Sequence, residues 1–177
     1  KLLTVSLTSL IAFSCASSPA PAPAAVPEEP VKEAPAPKRD EYSRSTENVN
    51  VTKEVFEEDK SRVLQIIDNL DLYMKNYDFN GWNKYLEPES RKYWSMKANL
   101  TKASSLLKKK GLKLLTLEDY FKFIFIPARV GHTVEEIRYE TENLVKVVSV
   151  EDDTDIVYYT FRKMDGHWKL VLPKNPD

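Results

Sequence analysis

The chain has 177 residues, and its 26 Lys and Arg side chains nearly balance 27 Asp and Glu, which leaves a formal net charge of −1. This balance excludes a protein drawn to nucleic acid by its overall charge. The single cysteine excludes an internal disulfide. No apolar run reaches the roughly 18–20 residues of a membrane-spanning helix, so a bilayer attachment must come from another feature.

The first fourteen residues have the pattern of a signal peptide. Lys1 is the only charged residue before Cys15, and the segment from Leu2 to Phe13 is apolar with interspersed Ser and Thr. This matches a positive start, an apolar region of about 7–15 residues and a small-residue exit. The alternative is an N-terminal helix of the fold with a chance cysteine, but Ala16-Ser17-Ser18-Pro19 continues a helix poorly.

The stretch Leu10-Ile11-Ala12-Phe13-Ser14-Cys15 resembles the lipobox of bacterial lipoproteins. The resemblance is to a relaxed form, because Ala12 and Phe13 stand where a strict lipobox has Leu and a small residue. It implies cleavage between Ser14 and Cys15, and a mature Cys15 that carries an S-diacylglyceryl group and an N-acyl chain. Two or three acyl chains make such an anchor durable, since burial contributes only about 0.8 kcal/mol per CH₂. Neither of the next two residues is Asp, which by the same resemblance favours the outer over the inner membrane.

Residues 16 to about 50 are predicted to form a disordered tether rich in Pro and Ala. They contain seven of the eleven prolines, followed by a run of charged residues, and few side chains that could enter a core. Pro-Ala segments favour extended geometry of about 3.1 Å per residue. A Pro-rich recognition segment is the alternative, although no aromatic or basic anchor flanks the prolines. The predicted organisation is a signal peptide (1–14), a lipidated tether (15–50) and a globular domain (51–175).

The first half of the globular domain is predicted to be helical. From about residue 52 to 77, apolar side chains recur at intervals of three and four, which indicates a long amphipathic helix. Asn80, Ser90 and Thr116 are predicted to cap three further helices, and Phe123 is the apolar residue of the last one that we expect to be exposed. These helices cover about residues 80–88, 90–111 and 116–127.

A run of lysines, Lys108-Lys109-Lys110 with Lys113 beyond it, is the strongest charge feature. Cations at the end of a helix interact favourably with its dipole, which is a purely structural explanation. The functional alternative is contact with anionic lipid head groups.

The second half of the globular domain alternates apolar and polar residues, which predicts strands. Asp165-Gly166 predicts a two-residue hairpin loop that pairs Phe161 with Leu170. In that register Val157 and Trp168 fall on the apolar face, and the opposite face carries Thr160, Arg162 and Lys169. The predicted strands are Val134 to Glu140, Leu144 to Val150, Ile156 to Lys163 and Trp168 to Leu172. The fold class is therefore α+β, with N-terminal helices packed on a curved antiparallel sheet of about four strands.

Two short motifs carry a resemblance to a known fold. Tyr77-Asp78-Phe79-Asn80-Gly81-Trp82 and Asp165-Gly166-His167-Trp168-Lys169 resemble the turn after the first helix and the terminal hairpin of the nuclear transport factor two-like fold, which ketosteroid isomerases share. The resemblance covers about residues 52–173 and implies a cone in which the first helix lies across the concave face of the sheet. The family also has a strand between its early helices, for which Lys113-Leu114-Leu115 is the candidate here.

The cone implied by this resemblance can hold a ligand. Aromatic side chains at helical and strand spacing are expected either to line it or simply to form the core. The eight residues predicted to line it are Trp82, Tyr85, Trp94, Phe121, Phe125, Tyr159, Phe161 and Trp168.

An isomerase-like site would need a carboxylate base and a tyrosine or neutral acid as donor. The residues with that chemistry are Asp78, Asp119, Tyr85 and Tyr93. No spacing places them together, so we assign no catalytic residue.

The sequence predicts neither a metal nor a cofactor, because His132 and His167 have no second His or Cys at ligand spacing and no phosphate-binding glycine loop occurs. We predict a membrane-anchored lipoprotein that is not an enzyme. Its expected partners are the bilayer, through acylated Cys15, and an envelope protein or hydrophobic ligand, with no nucleic acid. The alternatives are a small-molecule-processing enzyme, a hydrophobic-ligand carrier, and a structural surface lipoprotein without a specific ligand.

Overall fold

The computed structural model of the chain describes residues 39–107, 111–152 and 154–176. The chain divides into two units, Lys1–Pro37 and Lys38–Asp177, and the described residues lie in the second. The predicted signal peptide, Ser14, Cys15, the Pro-rich part of the tether and Lys108-Lys109-Lys110 lie outside the described residues.

Helices and a four-stranded antiparallel sheet confirm the predicted α+β class. The helices are α1 (Glu41–Ser45), α2 (Lys53–Lys75), α3 (Phe79–Asn83), α4 (Pro88–Trp94), α5 (Lys97–Leu106) and α6 (Leu117–Tyr120), which continues into a π-helical turn (Phe121–Phe125). The strands are β1 (Glu136–Thr141), β2 (Leu144–Glu151), β3 (Thr154–Met164) and β4 (His167–Val171). They follow one another in the sheet, which is not closed.

The long helix α2 confirms the amphipathic pattern. Its N-cap is Thr52, whose side chain accepts a hydrogen bond from the backbone N–H of Val55 (3.4 Å). The chain leaves the helix before Tyr77, which adopts a left-handed conformation with φ of 54°. The helix buries one stripe of apolar side chains, Phe56, Val63, Ile67, Leu70 and Met74.

Thr116 caps α6 as predicted, but two of the shorter helices begin at residues other than those predicted. The N-cap of α3 is Asp78 rather than Asn80, because the Asp78 side chain accepts a hydrogen bond from the N–H of Gly81 (2.9 Å). Pro88 starts α4 ahead of Ser90, as expected from its fixed φ at the first helical position. The predicted third helix is two helices, since the extended backbone of Met96 separates α4 from α5. Phe123 is exposed, as predicted.

The sheet contains the predicted hairpin and one irregularity that was not predicted. Asp165 and Gly166 form the two-residue loop, both with positive φ, and Phe161 pairs with Leu170. The pairing of β2 with β3 shifts by one residue at Tyr158. This bulge turns Val157 to the opposite face from Tyr159, where its side chain is 46% exposed. The prediction that Val157 shares the apolar face was therefore wrong.

Both edges of the sheet are covered. On β1, the N–H of Ile137 donates to the Glu41 carboxylate (3.1 Å), and the Ser45 hydroxyl donates to the Ile137 carbonyl. On β4, Leu170 exchanges backbone hydrogen bonds with Tyr85 (2.7 Å) and Glu87 (3.0 Å). Unpaired edges promote aggregation, so these contacts protect the sheet. They also place α1 in the globular unit, whereas the predicted tether extended to residue 50.

The candidate extra strand, Lys113-Leu114-Leu115, is not a strand. Leu114 is buried, and its N–H donates to the Ser104 hydroxyl on α5 (2.8 Å) rather than to a neighbouring strand. The segment is therefore fastened to a helix.

Candidate functional site

Seven of the eight aromatic residues predicted to line a cone are buried in the core, and six of them contact other aromatic rings. They are buried and pack on one another and on neighbouring rings: the ring centroid of Trp82 is 4.7 Å from that of Phe121 and 5.0 Å from that of Phe125. The six residues are Trp82, Trp94, Phe121, Phe125, Tyr159 and Phe161, and the seventh buried residue is Trp168, which is 3% exposed. Each of these side chains therefore presents little or no surface to a ligand.

Arg129 packs against the same cluster. Its guanidinium carbon lies 3.9 Å from the ring centroid of Phe125 and 5.2 Å from that of Tyr159, within the range of cation–π attraction. Burial lowers the pKa of Arg129, against the favourable influence of the neighbouring tyrosines.

The partly buried Tyr85 lines an open cavity of about 570 Å³, and the buried Trp168 forms part of its wall. It lies between α2, the residues that follow α3, and the β3–β4 hairpin. We call it the aromatic-cationic cleft. Its lining residues are Arg62, Gln65, Ile66, Tyr73, Lys84, Tyr85, Gly166, His167, Trp168 and Lys169.

The two tyrosines of the cleft are held side by side by a glycine. The ring centroids of Tyr73 and Tyr85 are 6.1 Å apart. A Cβ atom on Gly81 would lie 2.4 Å from the Tyr73 ring, so a larger residue at this position would displace it. Burial raises the pKa of the Tyr85 hydroxyl, and the adjacent Tyr73 raises it further.

The buried carboxylate of Asp59, on α2, holds Trp168 in place. Asp59 accepts hydrogen bonds from the Trp168 indole N–H (3.1 Å), the Tyr139 hydroxyl (2.9 Å) and the Lys163 ammonium (2.8 Å). The carboxylate therefore links α2 to β1, β3 and β4. We call these four residues the Asp59 cluster.

Asp59 is not among the predicted site residues, although the sequence contains a signal for its burial. Asp59 stands three residues after Phe56 and four before Val63, within the buried stripe of α2. A carboxylate at such a position requires hydrogen-bond donors, because burying an unpaired charge is costly.

The lining of the cleft is positively charged. Arg62, Lys84 and Lys169 contribute cations, and the lining residues include no carboxylate. Arg62 has an ion pair with Glu58 (2.6 Å), but both side chains are more than half exposed, where such pairs contribute little. The cleft therefore combines aromatic surface with cations that a ligand could use.

The residues with isomerase-like chemistry serve other purposes. Asp78 and Asp119 cap α3 and α6, and Asp119 forms a reciprocal capping box with Thr116. Tyr93 accepts from the backbone N–H of Asn175 (3.2 Å). The described residues do contain a carboxylate beside a tyrosine, that of Asp59 beside Tyr139. All three hydrogen-bond donors to Asp59 are side chains of this protein, so these contacts serve the fold.

The two histidines, His132 and His167, lie in different parts of the structure. The ring Nδ1 of His132 is 2.8 Å from the Tyr158 hydroxyl, whereas His167 lies at the cleft. Across residues 39–107, 111–152 and 154–176, no group of three or more His, Cys, Asp or Glu side chains is arranged to hold a metal ion.

The chain is similar to a protein of Treponema pallidum (strain Nichols) that is named an uncharacterized lipoprotein. The two are 29% identical over 123 residues, which cover 70% of this chain and 66% of that protein. The chain thus spans just under two thirds of the relative's length. No protein-family model matches the chain, and no solved structure matches it.

This similarity supports a bacterial lipoprotein anchored in the cell envelope, and it does not distinguish the outer from the inner membrane. None of the helices in the described part of the chain is long and apolar enough to cross a bilayer. The nuclear transport factor two-like fold stays a prediction.

Proposed function

We propose that this protein is a lipoprotein anchored through acylated Cys15, and that its globular domain is a binding module rather than an enzyme. Two independent features support the anchor: the stretch that ends at Cys15 resembles a lipobox, and the relative is named a lipoprotein. The two residues after Cys15 favour the outer membrane.

The anchor is tested by metabolic labelling with an alkyne analogue of palmitate in a bacterial host. We expect the wild-type chain to be labelled, and Cys15→Ala to lose the label and leave the membrane fraction. Ser18→Ala, three residues further on, is the matched control and should be labelled like wild type. An unlabelled wild-type chain, or a labelled Cys15→Ala chain, would overturn the anchor.

The aromatic-cationic cleft carries the proposal of a binding module. The rings of Tyr73 and Tyr85 offer apolar surface, and Lys84 and Lys169 offer donors to negatively charged oxygen atoms. The ligand that fits this chemistry has an anionic group attached to an apolar or aromatic body. Catalysis is less well supported, because the buried carboxylate of Asp59 already accepts three hydrogen bonds.

Binding at the cleft is tested with anilinonaphthalene sulfonate, a fluorescent dye that is both anionic and aromatic. We expect the doubly substituted chain, Lys84→Gln with Lys169→Gln, to bind the dye about tenfold more weakly, or about 1.4 kcal/mol. Lys53→Gln with Lys174→Gln is the matched control, since it removes the same charge from two exposed lysines that do not line the cleft. Equal binding by all three chains would exclude the cleft as the site.

The uncharged dye phenylnaphthylamine separates this proposal from the hydrophobic-carrier alternative. If the cleft recognises an anion, the uncharged dye should bind weakly and should not respond to either lysine substitution. Tight binding of the uncharged dye would favour a carrier of hydrophobic ligands instead.

A further inference from the structure

One segment of the chain carries an extreme charge bias. Residues 91–117 contain eight Lys and Arg side chains and no Asp or Glu, in a protein whose formal net charge is −1. The bias is therefore local, and it falls on α4, α5 and the residues that lead to α6.

Large apolar side chains are exposed in the same segment. Met96 is 52% exposed, Leu106 56% and Leu115 67%. Single exposed apolar residues are ordinary on protein surfaces, but these three stand among lysines. Lys97 follows Met96 directly. Lys102 precedes Leu106 by one helical turn, so Lys102 and Leu106 share a face of α5.

The fold brings the end of this segment back to α5. The N–H of Leu114 donates to the Ser104 hydroxyl (2.8 Å), and Leu114 is buried. Its exposed neighbours, Lys113 and Leu115, therefore lie beside α5. These six exposed residues lie around α5 rather than on one of its faces, since Lys97 and Leu106 are on opposite sides of the helix. We call them the basic-apolar surface: Met96, Lys97, Lys102, Leu106, Lys113 and Leu115.

The lysines of this surface are available to an external anion. Among the described residues, Lys97, Lys102 and Lys113 form no salt bridge with a carboxylate, whereas Lys60, Lys122, Lys146 and Lys163 each do. Ion pairs with carboxylates in the described part of the chain therefore do not neutralise the charge.

We propose that the basic-apolar surface docks on an anionic phospholipid bilayer. Cations adjacent to exposed Leu and Met suit the interface, where ammonium groups meet phosphates and apolar side chains enter the boundary with the acyl chains. The three lysines together should increase partitioning into an anionic surface on the order of 100-fold. A lipid anchor would raise the effective concentration of the domain at the bilayer, so weak docking would hold it there.

The docking proposal rests on the proposed anchor, which would hold the domain near a bilayer, but its test uses a chain without the acyl group. The chain from residue 15 onward, with Cys15→Ser, is mixed with vesicles of phosphatidylcholine alone or with an equal part of phosphatidylglycerol. We expect binding only to the vesicles that contain phosphatidylglycerol, and loss of binding at high salt. Because this chain is never acylated, failure here is distinguishable from failure of palmitate labelling.

Three triple variants locate the contact. Lys97→Gln, Lys102→Gln and Lys113→Gln together should reduce binding on the order of 100-fold. The matched control replaces three exposed lysines elsewhere, Lys53, Lys75 and Lys174, by Gln and removes the same charge. Replacing Met96, Leu106 and Leu115 by Ser should weaken binding without changing its salt dependence.

Circular dichroism of each variant confirms that it is folded. Equal loss of binding in the two lysine variants would overturn the proposal, since charge alone would then account for it. Equal binding to neutral and anionic vesicles would overturn it too. Capture of an acidic protein by this surface, with no vesicle binding, would also overturn it.

Discussion

Two clusters of charged side chains join a helix to the sheet, and they differ in their access to water. The Asp59 cluster connects α2 to three strands, and the Asp59 side chain is only 3% exposed. The second cluster lies on the outer face of the sheet around Glu136, which is 21% exposed. We call it the Glu136 network: Arg44 of α1 and Arg138 of β1 contact Glu136 at 2.6 and 2.8 Å, and Arg138 also contacts Asp155 of β3 at 2.8 Å.

Burial, rather than the number of ion pairs, should decide how much each cluster contributes to the free energy of unfolding. Removing one partner of a buried ion pair typically costs about 3–5 kcal/mol, because the other charge stays behind without water. Pairs that water reaches are worth about 0–1 kcal/mol. The Asp59 cluster should therefore determine stability, although the Glu136 network has more ion pairs.

The largest expected effect is that of Asp59→Ala. Removal of the carboxylate leaves the Lys163 ammonium, the Trp168 indole and the Tyr139 hydroxyl without their shared acceptor. We expect the free energy of unfolding in urea to fall by about 3 kcal/mol. Asp68→Ala, at another position of α2, is the control and should change it by less than about 0.5 kcal/mol. A loss below about 1 kcal/mol for Asp59→Ala would contradict the buried role.

Trp168→Phe should have a smaller effect. It keeps most of the aromatic surface but removes one of the three donors to Asp59, which costs about 1 kcal/mol for the hydrogen bond. Because Trp168 also lines the cleft, the same variant should bind anilinonaphthalene sulfonate less tightly. A variant as stable as wild type would mean that Tyr139 and Lys163 alone satisfy the carboxylate.

These two positions show what sequence reasoning can and cannot reach. Trp168 was placed on the apolar face because the Asp-Gly loop sets the hairpin register, and local chemistry determines that loop. The stripe of α2 indicates that Asp59 is buried, but the sequence does not identify its donors, because they lie 80, 104 and 109 positions further along the chain. No local sequence pattern links residues that are so far apart along the chain.

The same reasoning explains the other differences. The bulge at Tyr158 depends on how β2 and β3 pair, so alternation along β3 alone placed Val157 on the wrong face. The helix α1 has few apolar residues, and its place in the fold comes from Ser45 and Glu41 contacts with the β1 edge. The aromatic residues were identified from spacing, but spacing could not separate the packed core from the cleft.

Glu136→Gln tests the outer-face network. It removes the charge that Arg44 and Arg138 share and keeps a similar shape, so we expect the free energy of unfolding to fall by about 1 kcal/mol. The effect should shrink in high salt, because this site is partly open to water. An effect as large as that of Asp59→Ala would remove the distinction between the two clusters.

The smallest expected effect is a pH dependence from the same glutamate. Partial burial alone would raise the pKa of Glu136, but hydrogen bonds from Arg44 and Arg138 outweigh it and lower the pKa below its ordinary value. A carboxyl group whose pKa is lower in the folded than in the unfolded chain contributes stability at pH values above its unfolded pKa. That contribution is lost as the pH falls through the pKa of the folded chain. Urea titrations below neutral pH should therefore show a shallower loss of stability for Glu136→Gln than for wild type. Parallel curves would mean that the two arginines do not favour the charged form of Glu136.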